Sequence, residues 1–269
     1  MAATLVLVGG GKMGAALVGG LLGSGAHAAD ALAVVETSPN RRDELAAMFP
    51  ELAVHAQLSG EVVAPGGGAI VAVKPDQAES VALLLGGLGV ERILSIAAGI
   101  STQRLQSKAG PSCRVVRAMP NTAALVGKGV AAISGSDAAT AADLDWAERI
   151  LGAVGTVVRI PERQMDGLTA VSGSGPAYLF LVAEAMIDAA VSVGLTRDQA
   201  TTLVTETFVG AATLLAETGH SAVDLRAEVT SPAGVTAAGL RILEMKGVRS
   251  AFIEAIQTAA ERSFQLGRA

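Results

Sequence analysis

The stretch that decides the fold is Gly9-Gly10-Gly11-Lys12-Met13-Gly14, in which glycines occupy the first, third and last positions. It follows an apolar run, Leu5–Val8, and precedes an alanine-rich segment, Ala15–Leu22. In a strand–turn–helix unit the first glycine permits a tight turn, the second lets a phosphate approach the backbone, and the third lets the helix pack on the strand. Phosphates would then lie at the positive end of the helix. The stretch therefore predicts a dinucleotide site that includes Gly9, Gly11, Lys12, Met13 and Gly14.

Short apolar runs alternate with helical stretches as far as residue 160, and beyond Pro161 the pattern is helical throughout. The alternation in the first part is typical of βαβ units around a buried parallel sheet. We therefore expect an α/β Rossmann domain with a doubly wound, mostly parallel sheet over residues 1–160, and an all-α domain over residues 161–269. The predicted strands are Leu5–Val8, Leu32–Glu36, Leu52–His55, Ala69–Val73, Ile93–Ala97, Arg114–Ala118, Val130–Ile133 and Thr156–Val158.

The second domain is predicted to begin with a long helix, Glu162–Gly194, that is apolar on more than one side. A helix of that kind is buried by partners on several sides. This favours an intertwined helical dimer, with an internal core helix as the alternative. Turn chemistry supports the other boundaries, since Gly194 and Gly219 suit C-terminal caps, Thr196 an N-terminal cap and Pro232 a helix start. The later predicted helices are Arg197–Thr218, Ser221–Val229, Ala233–Met245 and Val248–Leu266.

Glu36 ends the second predicted strand, about 20 residues after Gly14, where a Rossmann domain carries an acid that bonds the ribose hydroxyls of NAD. The residues that follow offer hydroxyl and guanidinium groups suited to a 2′-phosphate. They are Thr37, Ser38, Asn40, Arg41 and Arg42. For Arg42 we favour a solvated place on the next helix. NADH and NADPH both stay open as cofactors.

Other predicted cofactor residues follow later strands, because ligands of an open parallel sheet collect beyond the carboxyl ends of its strands. Val73, Lys74 and Pro75 close one strand. The small residues of the turn Ala97-Ala98-Gly99 would let the nicotinamide lie close to the backbone. Asn121 is expected either to cap the next helix or to orient the cofactor.

Composition excludes several classes of protein. The net charge is −5 and there is no run of Lys or Arg, so the phosphate attraction that nucleic-acid binders need is missing. The uncharged stretch 13–29 is too short and too rich in glycine for a membrane span. Three scattered His residues and one Cys predict no metal site. We expect each of the three, His27, His55 and His220, to be a solvated turn residue.

Cys113 is the only cysteine, so no intrachain disulfide can form. We expect it to be a buried, inert thiol. This thiol content favours a reducing, cytoplasmic setting.

Three further segments carry a specific resemblance. They are Arg117-Ala118-Met119-Pro120-Asn121-Thr122, Ala170-Val171-Ser172-Gly173-Ser174-Gly175-Pro176-Ala177-Tyr178, and Leu225-Arg226-Ala227-Glu228-Val229-Thr230-Ser231-Pro232-Ala233-Gly234-Val235-Thr236. With the Gly9–Gly14, Val73–Pro75 and Ile96–Ile100 stretches, they resemble the pyrroline-5-carboxylate reductase family over essentially the whole chain.

The resemblance implies reduction of 1-pyrroline-5-carboxylate to proline by NADH or NADPH, in a homodimer or a higher ring of dimers. It places the substrate carboxylate on a loop and helix start whose matching residues are Ser231, Gly234, Val235 and Thr236. It also places Thr236 near the imine nitrogen as the catalytic residue. The chain departs from the common family form at Ala227, Ala233 and Val235. Ala233 replaces a glycine, which leaves the local backbone less free.

The residues by themselves agree with this chemistry. A loop that ends at a helix start presents free backbone N–H groups suited to a small carboxylate, with an ordinary Ser/Thr cap as the alternative. An imine nitrogen can arrive protonated, so no strong general acid is required.

Two rival functions are considered. Hydroxyacid dehydrogenases of similar layout carry a catalytic lysine early in the second domain, whereas the only lysine after Lys128 is Lys246. An imine reductase that acts on another ring belongs, with these dehydrogenases, to the first rival class, that of other Rossmann enzymes with a helical second domain. A noncatalytic dinucleotide-binding protein would bind the cofactor without oxidising it.

Overall fold

All eight predicted strands form, in one sheet, in a computed structural model that describes residues 2–267. They are β1 (Ala3–Val8), β2 (Leu32–Val35), β3 (Ala53–His55), β4 (Val63–Val71), β5 (Arg92–Ser95), β6 (Arg114–Pro120), β7 (Gly129–Gly135) and β8 (Gly155–Arg159). Their order across the sheet is β3-β2-β1-β4-β5-β6-β7-β8. Neighbouring strands are parallel except β6 and β7. The predicted doubly wound, mostly parallel sheet is confirmed.

The strand order reverses at β1, because the chain first builds outward to β2 and β3 and then returns to place β4 on the other side of β1. Both faces of the sheet are covered. Leu5 and Leu7 of β1 belong to one core, and Val6 and Val8 belong to the other. This alternation follows from the two-residue period of a strand, and it explains why the strands are continuous apolar runs.

Five helices cover the two faces. They are α1 (Lys12–Gly23), α2 (Pro39–Met48), α3 (Pro75–Gly87), α4 (Thr102–Ala109) and α5 (Ala141–Gly152). Helices α3 and α4 contribute Ala78, Ala82, Leu85 and Leu105 to the core that contains Val6. Side chains of α1, α2 and α5 fill the other core, among them Leu17, Leu21, Leu45 and Ile150.

Strand β4 begins at Val63, earlier than the predicted start at Ala69. The sequence there is Pro65-Gly66-Gly67-Gly68, which is typical of a loop. Tertiary packing explains the difference, because a Cβ at position 68 would lie 2.5 Å from the Trp146 ring. The missing side chain is what lets the indole of α5 pack on this strand.

Contacts divide the chain into two units. One comprises the chain up to Ser174 and again from Ala259, and the other is Gly175–Thr258. The helices that follow the sheet are α6 (Met165–Leu168), α7 (Gly175–Ser192), α8 (Arg197–Glu217), α9 (Ala222–Glu228), α10 (Val235–Met245) and α11 (Val248–Leu266).

Two predictions for the helical part are wrong. The segment 162–194 is not one helix, because α6 and α7 are separated by Thr169–Gly173, a turn of π-helix. Helix α10 begins at Val235 rather than Ala233, so Pro232 is not at a helix start. The physical reason is the backbone of Ala233, whose φ of +57° is incompatible with a right-handed helix.

The predicted caps are confirmed. Gly194 and Gly219 have φ values of +102° and +72°, in the region that glycine tolerates. Thr196 caps α8 by accepting a hydrogen bond from Gln199 N–H, and Gln199 bonds back to the Thr196 N–H. This capping box starts α8 one residue after Thr196.

The unit Gly175–Thr258 exposes much apolar surface. Leu179, Phe180 and Leu181 are each more than half exposed, and Ala200 and Val204 are its buried hydrophobic residues. An 18-residue window within Glu162–Ser192 has a mean hydropathy of 1.3, and the stretch is long enough to cross a membrane, a test that core helices of soluble proteins also pass. Apolar surface of this extent marks an interaction face.

Cys113 is 1% exposed, which confirms the predicted buried thiol. Burial raises its pKa to about 11. At neutral pH the side chain is therefore a protonated thiol, the form that is neither nucleophilic nor a metal ligand.

Asp143 is fully buried and connects three elements. Its Oδ2 accepts hydrogen bonds from the Thr140 N–H and hydroxyl at 2.8 and 2.7 Å, which caps α5. Its Oδ1 accepts one from Arg114 Nε at 3.0 Å. Arg92 Nε lies 2.9 Å from the same oxygen, within ion-pair distance but without hydrogen-bond alignment. The carboxylate therefore ties α5 to β5 and β6.

Burial by itself would raise the pKa of the Asp143 carboxyl, but the hydrogen bonds from Thr140 and Arg114 outweigh it and hold that pKa below its ordinary value. A lowered folded-state pKa means that the stabilisation is present above the unfolded-state value, about 3.9, and is lost as the pH falls through the folded-state value.

We predict that Asp143→Asn lowers the free energy of unfolding by about 3 kcal/mol at pH 7, because Arg92 loses its anion and Arg114 retains Glu91 alone. Urea denaturation at pH 7, 5 and 3 measures this, and the difference from wild type should shrink at pH 3. The control is Asp137→Asn, an exposed position. Equal stability of the two variants at pH 7 contradicts the prediction.

Candidate functional site

The glycine turn between β1 and α1 has the steric features that its spacing predicts. Gly9 has a φ of +103°, and a Cβ there would lie 2.5 Å from the Ala72 carbonyl oxygen. A Cβ on Gly14 would lie 2.3 Å from the Gly9 carbonyl oxygen. Above Gly11 there is nothing within 4 Å. The turn is thus closed toward the protein and open toward solvent at the glycine that would face a pyrophosphate.

Gly10 was not singled out by the sequence pattern, yet a side chain is packed over it. A Cβ there would lie 2.4 Å from Leu45 Cδ1 of α2. Its N–H donates to Glu36 Oε2 at 2.8 Å. The sequence did contain a hint, since Gly9, Gly10 and Gly11 are consecutive glycines although the Gly-x-Gly-x-x-Gly pattern allows any residue at position 10.

A cleft of about 540 Å³ opens at the carboxyl ends of β1, β2 and β4. This is the point at which the strand order reverses, where open α/β sheets bind their ligands. Five predicted cofactor residues line it: Gly9, Gly11, Glu36, Val73 and Lys74. Volume and position fit a dinucleotide.

The remaining predicted residues lie at the borders of this cleft. Lys12 and Met13 form the first turn of α1, Ser38 caps α2 through the Arg41 N–H, and Pro75 is the first residue of α3. Ala97, Ala98 and Gly99 form the turn after β5, at the same edge of the sheet.

Glu36 connects the first two turns of the domain. Oε2 accepts from the Gly10 N–H and Oε1 accepts from the Ser38 N–H, both at 2.8 Å. A carboxylate has about four lone-pair positions. It can therefore hold the two turns together and still accept hydrogen bonds from ribose hydroxyls.

The two arginines after Glu36 have different surroundings. Arg41 Nε donates to the Gly10 carbonyl oxygen at 2.6 Å, so its guanidinium lies against the glycine turn. Arg42 Nη1 donates to the carbonyl oxygens of Glu36 and Thr37 at 3.0 and 2.8 Å. The expectation that Arg42 is simply solvated is therefore wrong, because it folds back on the β2–α2 connection.

Asn121 does not cap the following turn, since its side chain makes no capping bond. Oδ1 instead accepts from the Val130 N–H and Nδ2 donates to the Ser172 carbonyl oxygen, both at 3.1 Å. Both ends of the amide are thus used within the protein.

Sequence reasoning missed an ion pair beside this region. Arg117, 7% exposed, donates to Glu162 Oε1 at 3.2 Å. Glu162 also accepts from the Thr102 N–H and hydroxyl at 2.8 and 2.6 Å, which secures the start of α4. The sign of this ion pair in the sequence is Arg117 itself, a charged residue in the middle of an apolar strand.

The three histidines differ in their surroundings. His55 is the last residue of β3 and is half-buried, so the expectation of a solvated turn residue is wrong there. His220 is exposed and pairs with Glu228 at 3.0 Å, as expected of a turn residue. His27 is not a solvated turn residue, because its Nδ1 is buried with no hydrogen-bond partner among residues 2–267. Burial lowers its pKa. It lies beyond the end of α1, outside the cleft residues.

The predicted carboxylate loop lies in the unit Gly175–Thr258. Gly234 precedes the first residue of α10 without a side-chain cap, and a Cβ there would lie 2.3 Å from Ser231 Oγ. Ser231, Val235 and Thr236 are exposed. The structure therefore brings Ser231 and Gly234 together beside a helix start whose first N–H groups lack intrahelical partners.

Known proteins share this architecture over the whole chain. A family model described as pyrroline-5-carboxylate reductase dimerisation matches residues 162–266, and one described as NADP oxidoreductase, coenzyme F420-dependent, matches residues 4–99. Pyrroline-5-carboxylate reductase of Mycobacterium leprae is 41% identical, with 98% of this chain and 97% of the relative covered. The enzyme of the same name from Synechocystis is 40% identical, with 100% of both covered.

Solved structures agree. A pyrroline-5-carboxylate reductase from Coxiella burnetii has a TM-score of 0.91 and 32% identity, covering 99% of each chain. The Plasmodium falciparum pyrroline carboxylate reductase, solved with NADP bound, has a TM-score of 0.83 and 30% identity, covering 98% of this chain and 97% of the other.

The reversed sheet, the glycine turn and the cleft define a dinucleotide-binding oxidoreductase of the Rossmann class. Identity of 40% or more with full coverage is decisive for the narrower assignment. The chain belongs to the pyrroline-5-carboxylate reductase family.

We predict that Glu36→Ala weakens NADH binding more than NADPH binding, because the carboxylate accepts from the free 2′-hydroxyl that NADH alone carries. Fluorescence titration with each cofactor measures this. Asp43→Ala is the control, an exposed carboxylate on α2 that does not line the cleft. Equal losses for the two cofactors would show that Glu36 does not read the ribose.

Ala233 is the only residue other than glycine among residues 2–267 with a φ in the left-handed region. That conformation costs an L-residue about 1–2 kcal/mol, and glycine loses about 0.5–1 kcal/mol more backbone entropy on folding. We predict that Ala233→Gly raises the free energy of unfolding by about 0.5 kcal/mol or slightly more. In urea denaturation the matched control, Ala238→Gly within α10, should instead lose about 1 kcal/mol. A comparable loss for both variants would exclude strain at Ala233.

Proposed function

We propose that this protein reduces 1-pyrroline-5-carboxylate to L-proline with NADH or NADPH, the last step of proline biosynthesis. The observation that carries the proposal is the likeness to enzymes of that name, at about 40% identity over essentially the full length. It is supported by the open cleft at the switch point of the sheet.

The dinucleotide is held by the residues that border the cleft. Gly11, where no atom of the protein is within 4 Å of an added Cβ, and the N-terminal end of α1 would hold the pyrophosphate. Lys74 places a positive charge beside the phosphates, and Glu36 or Arg41 contacts the adenosine ribose. The nicotinamide, once bound, supplies the hydride; Ala97, Ala98 and Gly99 leave room for its ring.

The substrate carboxylate is bound by the loop that precedes α10. Ser231 offers its hydroxyl, and Gly234, Val235 and Thr236 offer backbone N–H groups near the positive end of the helix. Val235 contributes through its backbone, so its departure from the family form does not remove the site.

Thr236 holds the imine nitrogen, directly or through a water, so that the adjacent carbon accepts the hydride. The nitrogen carries its own proton into the site, which removes the need for a strong general acid. Catalysis then derives mainly from placement of the two reactants.

We further propose that residues 161–269 form the substrate-binding and dimerisation domain, next to a dinucleotide-binding domain over residues 1–160. The exposed apolar side chains of Gly175–Thr258, including Leu179, Phe180 and Leu181, support a homodimer, as does the dimerisation model that matches residues 162–266. We also propose that the dimers assemble into a ring. A single free thiol, Cys113, favours a cytoplasmic enzyme.

The test is an assay of cofactor oxidation at about 340 nm with pyrroline-5-carboxylate. We predict that Thr236→Ala lowers kcat about 100-fold with cofactor affinity unchanged. Thr213→Ala on α8, where the hydroxyl bonds only the Val209 carbonyl, is the control. If wild type oxidises neither cofactor when substrate is added, the proposed function is wrong. Undiminished turnover of Thr236→Ala removes that residue from its role.

A further inference from the structure

The π-turn Thr169–Gly173 belongs to a segment that neither the cleft nor the carboxylate loop explains. The Ser174 N–H donates to the Thr169 carbonyl oxygen at 2.9 Å, one residue further back than in an α-helix. Such single turns are rare and occur mostly at functional sites. The turn ends directly before Gly175, the first residue of the unit that carries the carboxylate loop.

Asn121 holds this turn by its backbone. The residue is 9% exposed, and its Nδ2 donates to the Ser172 carbonyl oxygen at 3.1 Å. Its Oδ1 accepts from the Val130 N–H at the start of β7, also at 3.1 Å. A buried amide with both ends bonded has one orientation. The π-turn is therefore tied to the β6–β7 connection at a definite distance.

A second contact holds the same turn. A Cβ on Gly173 would lie 3.2 Å from Met119 Cε and 3.5 Å from Thr169 Cγ2. Met119 lies near the end of β6, two residues before Asn121. The Met119-Pro120-Asn121 stretch thus contacts the turn through an apolar side chain and through an amide, and the two contacts are chemically independent.

The place of this contact connects it with the proposed reaction. Strands β5 and β6 are parallel neighbours, so their carboxyl ends share one edge of the sheet. The turn Ala97-Ala98-Gly99, predicted to receive the nicotinamide, follows β5 at this edge. The π-turn contacts β6 at the same edge, and the chain then continues into α7.

We propose that Asn121 is a positioning residue: by holding the Ser172 carbonyl, it fixes the π-turn at the edge of the sheet where the nicotinamide is predicted to bind. The proposal rests on the proposed function. It replaces the expectation that Asn121 orients the cofactor itself, because both polar atoms of its amide are already bonded within the protein.

The first experiment uses Asn121→Asp in the full-length protein. Aspartate keeps an acceptor for the Val130 N–H but turns an oxygen, rather than a donor, toward the Ser172 carbonyl. We expect kcat/KM for pyrroline-5-carboxylate to fall about tenfold to a hundredfold, while the NADPH dissociation constant changes less than about twofold. Hydrogen exchange of the amides in residues 169–174 should become faster. Gln103→Glu, the same change of charge at an exposed site on α4, should alter none of these quantities.

The second experiment tests the apolar contact with a rescue. Gly173→Ala crowds the Met119 side chain and should lower kcat/KM in the same way, again with NADPH affinity retained. Met119→Ala in the same chain removes the crowded methyl group and should restore most of the loss. If Asn121→Asp fails to fold, this pair of variants tests the proposal in its place.

Three results would overturn the proposal. The first is a parallel loss of NADPH affinity in Asn121→Asp, which would make the residue a cofactor ligand. The second is unchanged kinetics in that variant. The third is failure of Met119→Ala to rescue Gly173→Ala. Hydrogen exchange and NADPH titration require no turnover. A wild type that binds NADPH without oxidising it therefore refutes the proposed function separately from this inference.

Discussion

The close approach of backbone to backbone at the glycine turn is the constraint on which the site depends. At Gly9, Gly10 and Gly14 an added Cβ would lie 2.3–2.5 Å from a carbonyl oxygen or from Leu45 of α2. At Gly9 and Gly14 the nearest atom belongs to the backbone, so a side chain there would displace the turn or α1, whereas at Gly10 it would displace the end of the Leu45 side chain. Because α1 starts so close to β1 and β4, its N-terminus meets the edge of the sheet at the point where the strand order reverses, and the cleft opens there.

Carboxylates then join this edge to the rest of the nucleotide-binding unit. Glu36 connects the first two turns through backbone N–H groups, and Glu162 holds the start of α4 while pairing with Arg117. Asp143 does the same at the opposite end of the sheet, between α5 and the starts of β5 and β6. In each case one carboxylate accepts hydrogen bonds from more than one donor, which makes its loss costly and its orientation definite.

Sequence patterns predicted the sheet well because burial on both faces leaves continuous apolar runs, and all eight strands were found with ends shifted by a few residues. These patterns failed where the backbone conformation is not that of a regular α-helix. The π-turn at Thr169–Gly173 keeps an apolar, helical composition, so a single helix was predicted across it. Ala233 carries no signal of its left-handed φ, because alanine is a good helix former. Side-chain partners such as those of Arg114 and Asn121 depend on residues brought near only by folding.

The chain's amino-acid sequence by itself determined the fold class, the nucleotide edge and the family, since local apolar periodicity and the spacing of small residues are properties of neighbours along the chain. Tertiary structure alone decided that Leu45 packs over Gly10, that Asn121 bonds the π-turn instead of capping, and that Asp143 is a buried anchor. These features depend on distances between residues far apart in sequence. Such distances are set by the packing of helices on the sheet, which no local pattern records.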